Sequence, residues 1–184
     1  MKRKTKHFDF LILGSGIAGL FFARKVAPHG SVAIVTKKHR AESNTNYAQG
    51  GIAAVTSKED SVEMHVKDTI SSGAGLCREE VVRTIIGEGP ERVAELMDLG
   101  MEFSEREVPG ADGIREFDLG REGGHSMRRI LHAKDATGRA VETALLNAVN
   151  GYDGVEWYEN HFAIDLITTR KLGQSGPNRC LGVY

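Results

Sequence analysis

No apolar stretch of this sequence approaches the roughly 20 residues that a helix needs to cross a bilayer, so a helical membrane span is excluded. Cysteine is scarce. Cys77 and Cys180 are the only two, and neither has Cys or His around it at metal-ligand spacing. That excludes a disulfide framework and a zinc module, and it leaves a reducing cytoplasm as the default compartment. Charge of one sign is also missing. A formal net charge of −1 gives no electrostatic reason to expect nucleic acid or an anionic membrane as partner. The start, Met1-Lys2-Arg3-Lys4-Thr5-Lys6, is basic and precedes an apolar run, as in a signal peptide. That run is short, carries Asp9 and leads straight into glycines, so it reads as a core strand. What remains is a soluble globular composition, 40% hydrophobic and 27% charged over 184 residues. The length suits one sizeable core, or one domain and part of another.

Glycine, by contrast, is abundant at 22 residues, and its most informative placement is near the start. The apolar run Phe8-Asp9-Phe10-Leu11-Ile12-Leu13 feeds Gly14-Ser15-Gly16-Ile17-Ala18-Gly19, and a helix-capable run, Leu20 to Val26, follows. A G-x-G-x-x-G turn between a strand and a helix is a dinucleotide site. The first glycine makes the turn, the second lets backbone approach a pyrophosphate, and the third lets helix and strand pack closely. The anion sits on unpaired N–H groups at the positive end of the helix dipole. Pro28-His29-Gly30 stops the helix, and Ser31 to Val35 reads as a buried parallel strand completing a βαβ unit. An acid that would bind a ribose hydroxyl is expected next. Thr36, Lys37 and Lys38 stand there instead, which favours a phosphorylated ribose, as in NADP, or a ribose contact made in another way.

Further along, residues 40–51 are polar and turn-rich, ending in Gly50-Gly51 before the apolar Ile52 to Val55. Such a loop suits either solvent or backbone laid against a flat ligand. Residues 61–72 and 78–87 carry helical periodicity, with Val62, Val66, Thr69 and Ile70 on one face and Val81, Val82, Ile85 and Ile86 on another. Pro90 opens a third helix, with Val93, Leu96 and Met97 inward and Gly100 at its end. His65 has no ligating partner at helical spacing and reads as a packed or solvated histidine. From Gly120 to Arg129 charge concentrates around Gly123-Gly124. One reading is a solvated loop; the other is a site for a zwitterionic or dicarboxylate substrate, with Glu122 lone among cations and His125 close by. Asp135 to Gly138 cap a helix over Arg139 to Val149, with Val141, Leu145, Ala148 and Val149 buried. Val155 to Tyr158, Phe162 to Thr168 and Cys180 to Tyr184 read as strands. The chain stops inside the last of them without a polar tail, as a truncated chain would.

Three segments together resemble the L-aspartate oxidase family, within the succinate dehydrogenase and fumarate reductase flavoproteins. They are Gly14 to Leu20, Tyr47-Ala48-Gln49-Gly50-Gly51-Ile52-Ala53-Ala54-Val55, and Arg121 to Gly138. The first is common to many flavoproteins, the second marks the group, and the third, with its Arg-Glu-Gly-Gly-His start, points to the aspartate oxidase branch. The resemblance implies an α/β chain with a Rossmann-like FAD-binding fold and parallel sheet, plus the beginning of a substrate or cap region. It divides the chain into 1–56, the βαβ unit and flavin loop, and 57–184, the rest of the FAD-binding domain with a helical insert and the start of a β-meander.

By the same resemblance, Thr36 and Lys37 fit FAD, Ser15, Gly16, Ile17 and Ala18 hold the pyrophosphate, and Phe162 and Ala163 meet adenine through their backbone. Ser43, Asn44, Thr45, Asn46, Tyr47, Ala48, Gln49, Gly50 and Gly51 line the flavin. The covalent members of the group attach FAD through the His of a Ser-His-Thr motif; here it reads Ser43-Asn44-Thr45, so FAD should be noncovalent. Glu122 stands where the dicarboxylate enzymes carry Gln, and a carboxylate there can pair with the α-ammonium of L-aspartate. The implied reaction oxidises aspartate to iminoaspartate for NAD biosynthesis in the cytoplasm, with oxygen or fumarate as acceptor and quinolinate synthase as a candidate partner. A fumarate reductase-like flavoprotein and a noncatalytic FAD-binding fragment are the alternatives. The family's catalytic arginine and its carboxylate-binding His and Arg match nothing before Tyr184, so these 184 residues alone are expected not to turn over aspartate.

Overall fold

The computed structural model describes residues 5–134 and 136–184. In chain order its elements are β1 (Phe10–Leu13), α1 (Ile17–Val26), β2 (Val32–Val35), β3 (Ile52–Ala53), α2 (Val62–Ser72) and α3 (Glu79–Asp98). They continue with β4 (Glu105–Glu107), β5 (Arg115–Phe117), β6 (Ile130–Leu131), α4 (Thr137–Asn150), β7 (Val155–Tyr158), β8 (Leu166–Thr168) and β9 (Cys180–Val183). They form two compact units. One comprises the residues up to Asn46 together with Leu145–Tyr184, and the other is Tyr47–Ala144. The chain returns to the first unit at Leu145 and adds β7 to its sheet.

The first unit is built on a parallel sheet of order β1-β2-β7, with Val32 registered against both Phe10 and Val155. β2 is the central strand, and its Val32, Ala33 and Ile34 are buried, as expected of a parallel strand covered on both faces. β1 departs from the expected core strand. It lies at the sheet edge, where Ile12 is buried but Leu11 and Leu13 are exposed, because only one side has a neighbour. Helix α1 buries Leu20 and Ala23. The strand expected over Phe162 to Thr168 shortens to β8, which pairs only with β9 in a separate two-stranded sheet. Phe162 and Ile164 are exposed there.

In the unit Tyr47–Ala144, α2 starts at Ser61, whose side chain accepts from the Met64 N–H (3.2 Å). The two helices expected on either side of Pro90 are one. α3 runs through Pro90, which gives up one helical hydrogen bond there. Its buried line is Ile86, Val93 and Leu96, whereas Val81, Ile85 and Met97 face out, since a single straight stripe replaces two separately phased ones. Gly100, at φ +88°, closes the helix as expected. β4 and β5 form a hairpin, and β3 pairs antiparallel with β6. The core gathers Ala54, Val66, Met101, Phe103, Ile130 and Leu131. Helix α4 buries Val141, Ala144, Leu145, Leu146 and Val149, with Ala148 only half-buried. The expected cap residue Asp135, like Met1 to Lys4, lies outside the described residues.

Candidate functional site

The carboxyl ends of β1, β2 and β7 meet on one side of the first unit, the place where open α/β sheets bind ligands. The parallel ladder continues past the strands to align them. The Gly14 N–H donates to Val35 O (2.8 Å), the Thr36 N–H to Tyr158 O (3.0 Å), and the His161 N–H to Thr36 O (3.1 Å). Three expected segments are thereby brought together: Gly14 to Gly19 after β1, Thr36 and Lys37 after β2, and Phe162 and Ala163 after β7.

At the start of α1 the N-cap residue is Gly16, which has no side chain to bond the first turn, and no acid stands in that turn. The positive end of the helix dipole is left for an external anion. A Cβ on Gly19 would stand 2.2 Å from Gly14 O, so that position tolerates no side chain. One on Gly16 would stand 3.3 Å from Thr45 Oγ1. Thr45 Oγ1 also accepts the Ile17 N–H (3.0 Å), tying residues 43–46 to the glycine turn. Ser15 contributes backbone rather than hydroxyl, since its buried Oγ is engaged with Thr36 Oγ1 (3.2 Å). Lys37 and Asn44 are exposed. A helix start without an acid, a glycine at its cap and exposed flanking residues fit the pyrophosphate of FAD.

The sequence reading missed the clasp that sets this geometry. Arg40 Nε and Nη2 donate to Glu159 Oε1 (3.1 Å) and Oε2 (3.2 Å), and its N–H donates to Oε1 (2.6 Å). Its Nη1 reaches Asn150 Oδ1 (3.0 Å), and its guanidinium stacks over Trp157 at 4.5 Å from the ring centre. Hydrogen bonds from Arg40 hold the Glu159 carboxyl below its ordinary pKa. The clasp joins the chain after β2 to the chain after β7. Residues so far apart in sequence leave no local pattern to read.

In the unit Tyr47–Ala144, Tyr47, Ala48, Gln49, Gly50 and Gly51 are all exposed. Ala48 O accepts the Gly138 N–H (3.1 Å). Glu122 lies beside this strip: a Cβ on Gly50 would stand 3.8 Å from Glu122 Oε1. Glu122 opens a turn that the His125 N–H closes onto its carbonyl (3.3 Å). Gly124 within that turn has φ +84°, and a Cβ there would meet Ser72 Oγ at 2.6 Å, so glycine is required on both counts.

Beneath the turn is a polar cluster that the sequence reading did not assemble. Arg129, fully buried, donates through Nε to Asp60 Oδ2 (2.7 Å), through Nη2 to Asp60 Oδ1 (2.8 Å) and through Nη1 to Asp68 Oδ2 (2.6 Å). Its Nη1 also lies 3.1 Å from His125 Nδ1, and the His125 and His65 rings are 5.4 Å apart. Ser126 gives Asp68 Oδ2 both its N–H (2.8 Å) and its hydroxyl (2.7 Å). Those two Ser126 bonds, with the Arg129 charge, hold the Asp68 carboxyl far below the usual carboxylate range. Burial pushes Asp60 up, but Arg129 and the Ser61 N–H together bring it below its ordinary value. Burial, then Arg129, pushes His65 down and keeps it neutral. A signal was there to find. His65, Asp68 and Ser72 repeat at helical spacing, a polar stripe on α2 beside the apolar one. Among the described residues no group of His, Cys, Asp and Glu is arranged to hold a metal ion, and no helix is long and apolar enough to cross a membrane.

A family model described as an FAD binding domain matches residues 9–184. The chloroplastic L-aspartate oxidase of Oryza sativa subsp. japonica is 53% identical over 170 residues, which are 92% of this chain and 25% of that protein. The L-aspartate oxidase of Vibrio cholerae is 47% identical over 176 residues, 96% of this chain and 32% of that one. Among solved structures, a mutant of the E. coli quinol fumarate reductase superposes with a TM-score of 0.80 at 29% identity, covering 90% of this chain and 28% of that one. The chain thus spans about a quarter to a third of the length of the curated relatives it matches.

Proposed function

Because this chain belongs to the FAD binding domain family and FAD is its cofactor, we propose that it forms the FAD-binding part of an L-aspartate oxidase. The observation that carries the reading is Glu122, an exposed carboxylate beside Gly50, standing in a segment like that of the aspartate oxidases. When bound, FAD supplies a two-electron acceptor for the oxidation of aspartate to iminoaspartate. The residues of this chain bind and orient. The segment Ser15 to Ala18 and the α1 dipole hold the pyrophosphate, with the Ile17 N–H engaged by Thr45 Oγ1. Thr36 and Lys37, with the backbone of Phe162 and Ala163, take the ribose and adenine end, and Ser43 to Gly51 line the flavin. Glu122 pairs with the substrate α-ammonium, which a plain dicarboxylate lacks. Return of electrons to oxygen or fumarate, and hand-over of iminoaspartate to quinolinate synthase for NAD biosynthesis, belong to the same proposal.

Glu122→Gln tests it in an oxidase that contains these residues. Loss of one charged hydrogen-bonded pair costs about 1.5–3 kcal/mol, so the KM for aspartate should rise about tenfold to a hundredfold while fumarate reduction is spared. Equal losses with both substrates would make Glu122 structural. The similarity to fumarate reductases supports a second reading, a fumarate reductase-like flavoprotein; reduction of fumarate with no bleaching of the flavin by aspartate would favour it.

FAD is bound noncovalently in this proposal, since Asn44 offers no nucleophile at the position where the covalent members carry His. Acid precipitation of the holoprotein should release all flavin into the supernatant. Yellow colour kept in the washed pellet would refute this.

A further inference from the structure

We infer that Asp68 is a positioning residue for Glu122, and through it for the preference of an amino-dicarboxylate over a plain dicarboxylate; the inference rests on the role proposed for Glu122. The turn that carries Glu122 has little support of its own. Residues 121–124 are exposed, nothing lies within 4 Å of where a Gly123 Cβ would be, and among the described residues no hydrogen bond or ion pair holds the Glu122 carboxylate. What fixes the turn is one face of α2, together with the contact of His125 Nδ1 with Arg129 Nη1 (3.1 Å). Asp68 Oδ2 receives the N–H and the hydroxyl of Ser126 at 2.8 and 2.7 Å. One turn further along, Ser72 Oγ donates to Gly124 O at 3.5 Å. The Gly124 contact lies within the Glu122 turn and the Ser126 contacts lie immediately after its closing residue, His125, so a shift at Ser126 reaches Glu122 through the turn.

Asp68 differs in this from Asp60. Asp60 takes Nε and Nη2 of Arg129 in the buried core and, among the described residues, no hydrogen bond joins it to the turn, whereas Asp68 is partly exposed and takes Nη1 only. Removing Asp68 therefore leaves Arg129 paired, and the loss falls on the loop. The acceptor oxygen matters more here than the charge. Asp68→Asn can still accept from Ser126, while Asp68→Ala cannot.

The test uses an oxidase containing this chain, purified with its flavin, and measures aspartate oxidation and fumarate reduction side by side. Asp68→Ala should raise the KM for aspartate about tenfold, the scale of a misplaced binding group, with flavin content and fumarate reduction unchanged. Asp68→Asn should restore most of the loss, and in a Glu122→Gln background Asp68→Ala should add nothing. If Asp68→Ala fails to fold, Ser126→Ala takes its place, with a smaller rise of about threefold for one of the two Ser126 bonds. An unchanged KM, equal losses for aspartate and fumarate, Asp68→Asn as damaging as Asp68→Ala, or full additivity with Glu122→Gln would each overturn the inference. If Glu122→Gln alone leaves the preference for aspartate intact, the Glu122 role has failed and this inference falls with it. An effect of Glu122→Gln without one of Asp68→Ala rejects the positioning role alone.

Discussion

Arg129→Met should lower the stability of this chain by about 3–5 kcal/mol, the cost of leaving a buried partner charge uncompensated. Asp60 and Arg129 are both fully buried as side chains, and Asp60 has no other cation in hydrogen-bond contact. At about 2–4 °C per kcal/mol for a chain of this size, Tm should fall by roughly 6–20 °C in a melt followed by circular dichroism. Arg129→Lys, which keeps the charge but not the fork, should fall between. A shift below about 3 °C for Arg129→Met would show that the cluster contributes little to folding. The same melts at falling pH carry a second signature. Asp60, Asp68 and His65 all have folded pKa values below their unfolded ones. The unfolded chain therefore binds protons more readily, and acid destabilises. The His65 contribution is complete above about pH 6.5 and is lost as pH falls below it; that of the carboxylates is complete above about pH 4 and lost below.

Gly19→Ala should cost both stability and flavin. Its Cβ would stand 2.2 Å from Gly14 O and 3.3 Å from Ile12 Cγ2, and a backbone carbonyl in a strand-to-helix turn cannot step aside. Helix α1 must lift from β1, at about 1–3 kcal/mol for overpacking, and the N–H groups that face the pyrophosphate move with it. Gly16→Ala is the informative contrast. Its Cβ would meet the Thr45 hydroxyl at 3.3 Å and Ser43 Cβ at an ordinary 4.0 Å, so Tm should hardly change while the flavin-to-protein ratio after purification still drops. A Gly19→Ala protein that keeps wild-type Tm and full flavin would remove the close-packing role of that glycine.

The βαβ unit and the helix read over Arg139 to Val149 were legible because their signals are local: glycine spacing, apolar runs and helical period. α3 was not, because Pro90 signals a helix start by its local chemistry, and only packing of Ile86, Val93 and Leu96 on one line carries the helix through it. The edge position of β1 was hidden for a similar reason. Its composition is that of a covered strand, while coverage depends on strand order. In the candidate site, the strand–turn–helix around the glycines and the placement of Glu122 in a glycine turn could be read from the sequence. Arg129 could not be assigned, since its partners Asp60 and Asp68 lie far from it along the chain and only the fold brings three charges together.

The sheet order also sets a schedule for folding. β1, α1 and β2 can form as soon as they leave the ribosome, but β7 must find β2 across the whole of Tyr47–Ala144, pairing Val32 with Val155. Long-range parallel pairing of this kind is slow, because the loop must close before any contact stabilises it. Until it does, β2 has a bare side, Thr36 and Tyr158 are unpaired, and Glu159 has not met Arg40. The segment after β7, proposed above to meet adenine, is therefore fixed only when this late pairing forms, and a ligand that stabilises the closed sheet acts on that step. Refolding with excess flavin present traps that closure once it occurs.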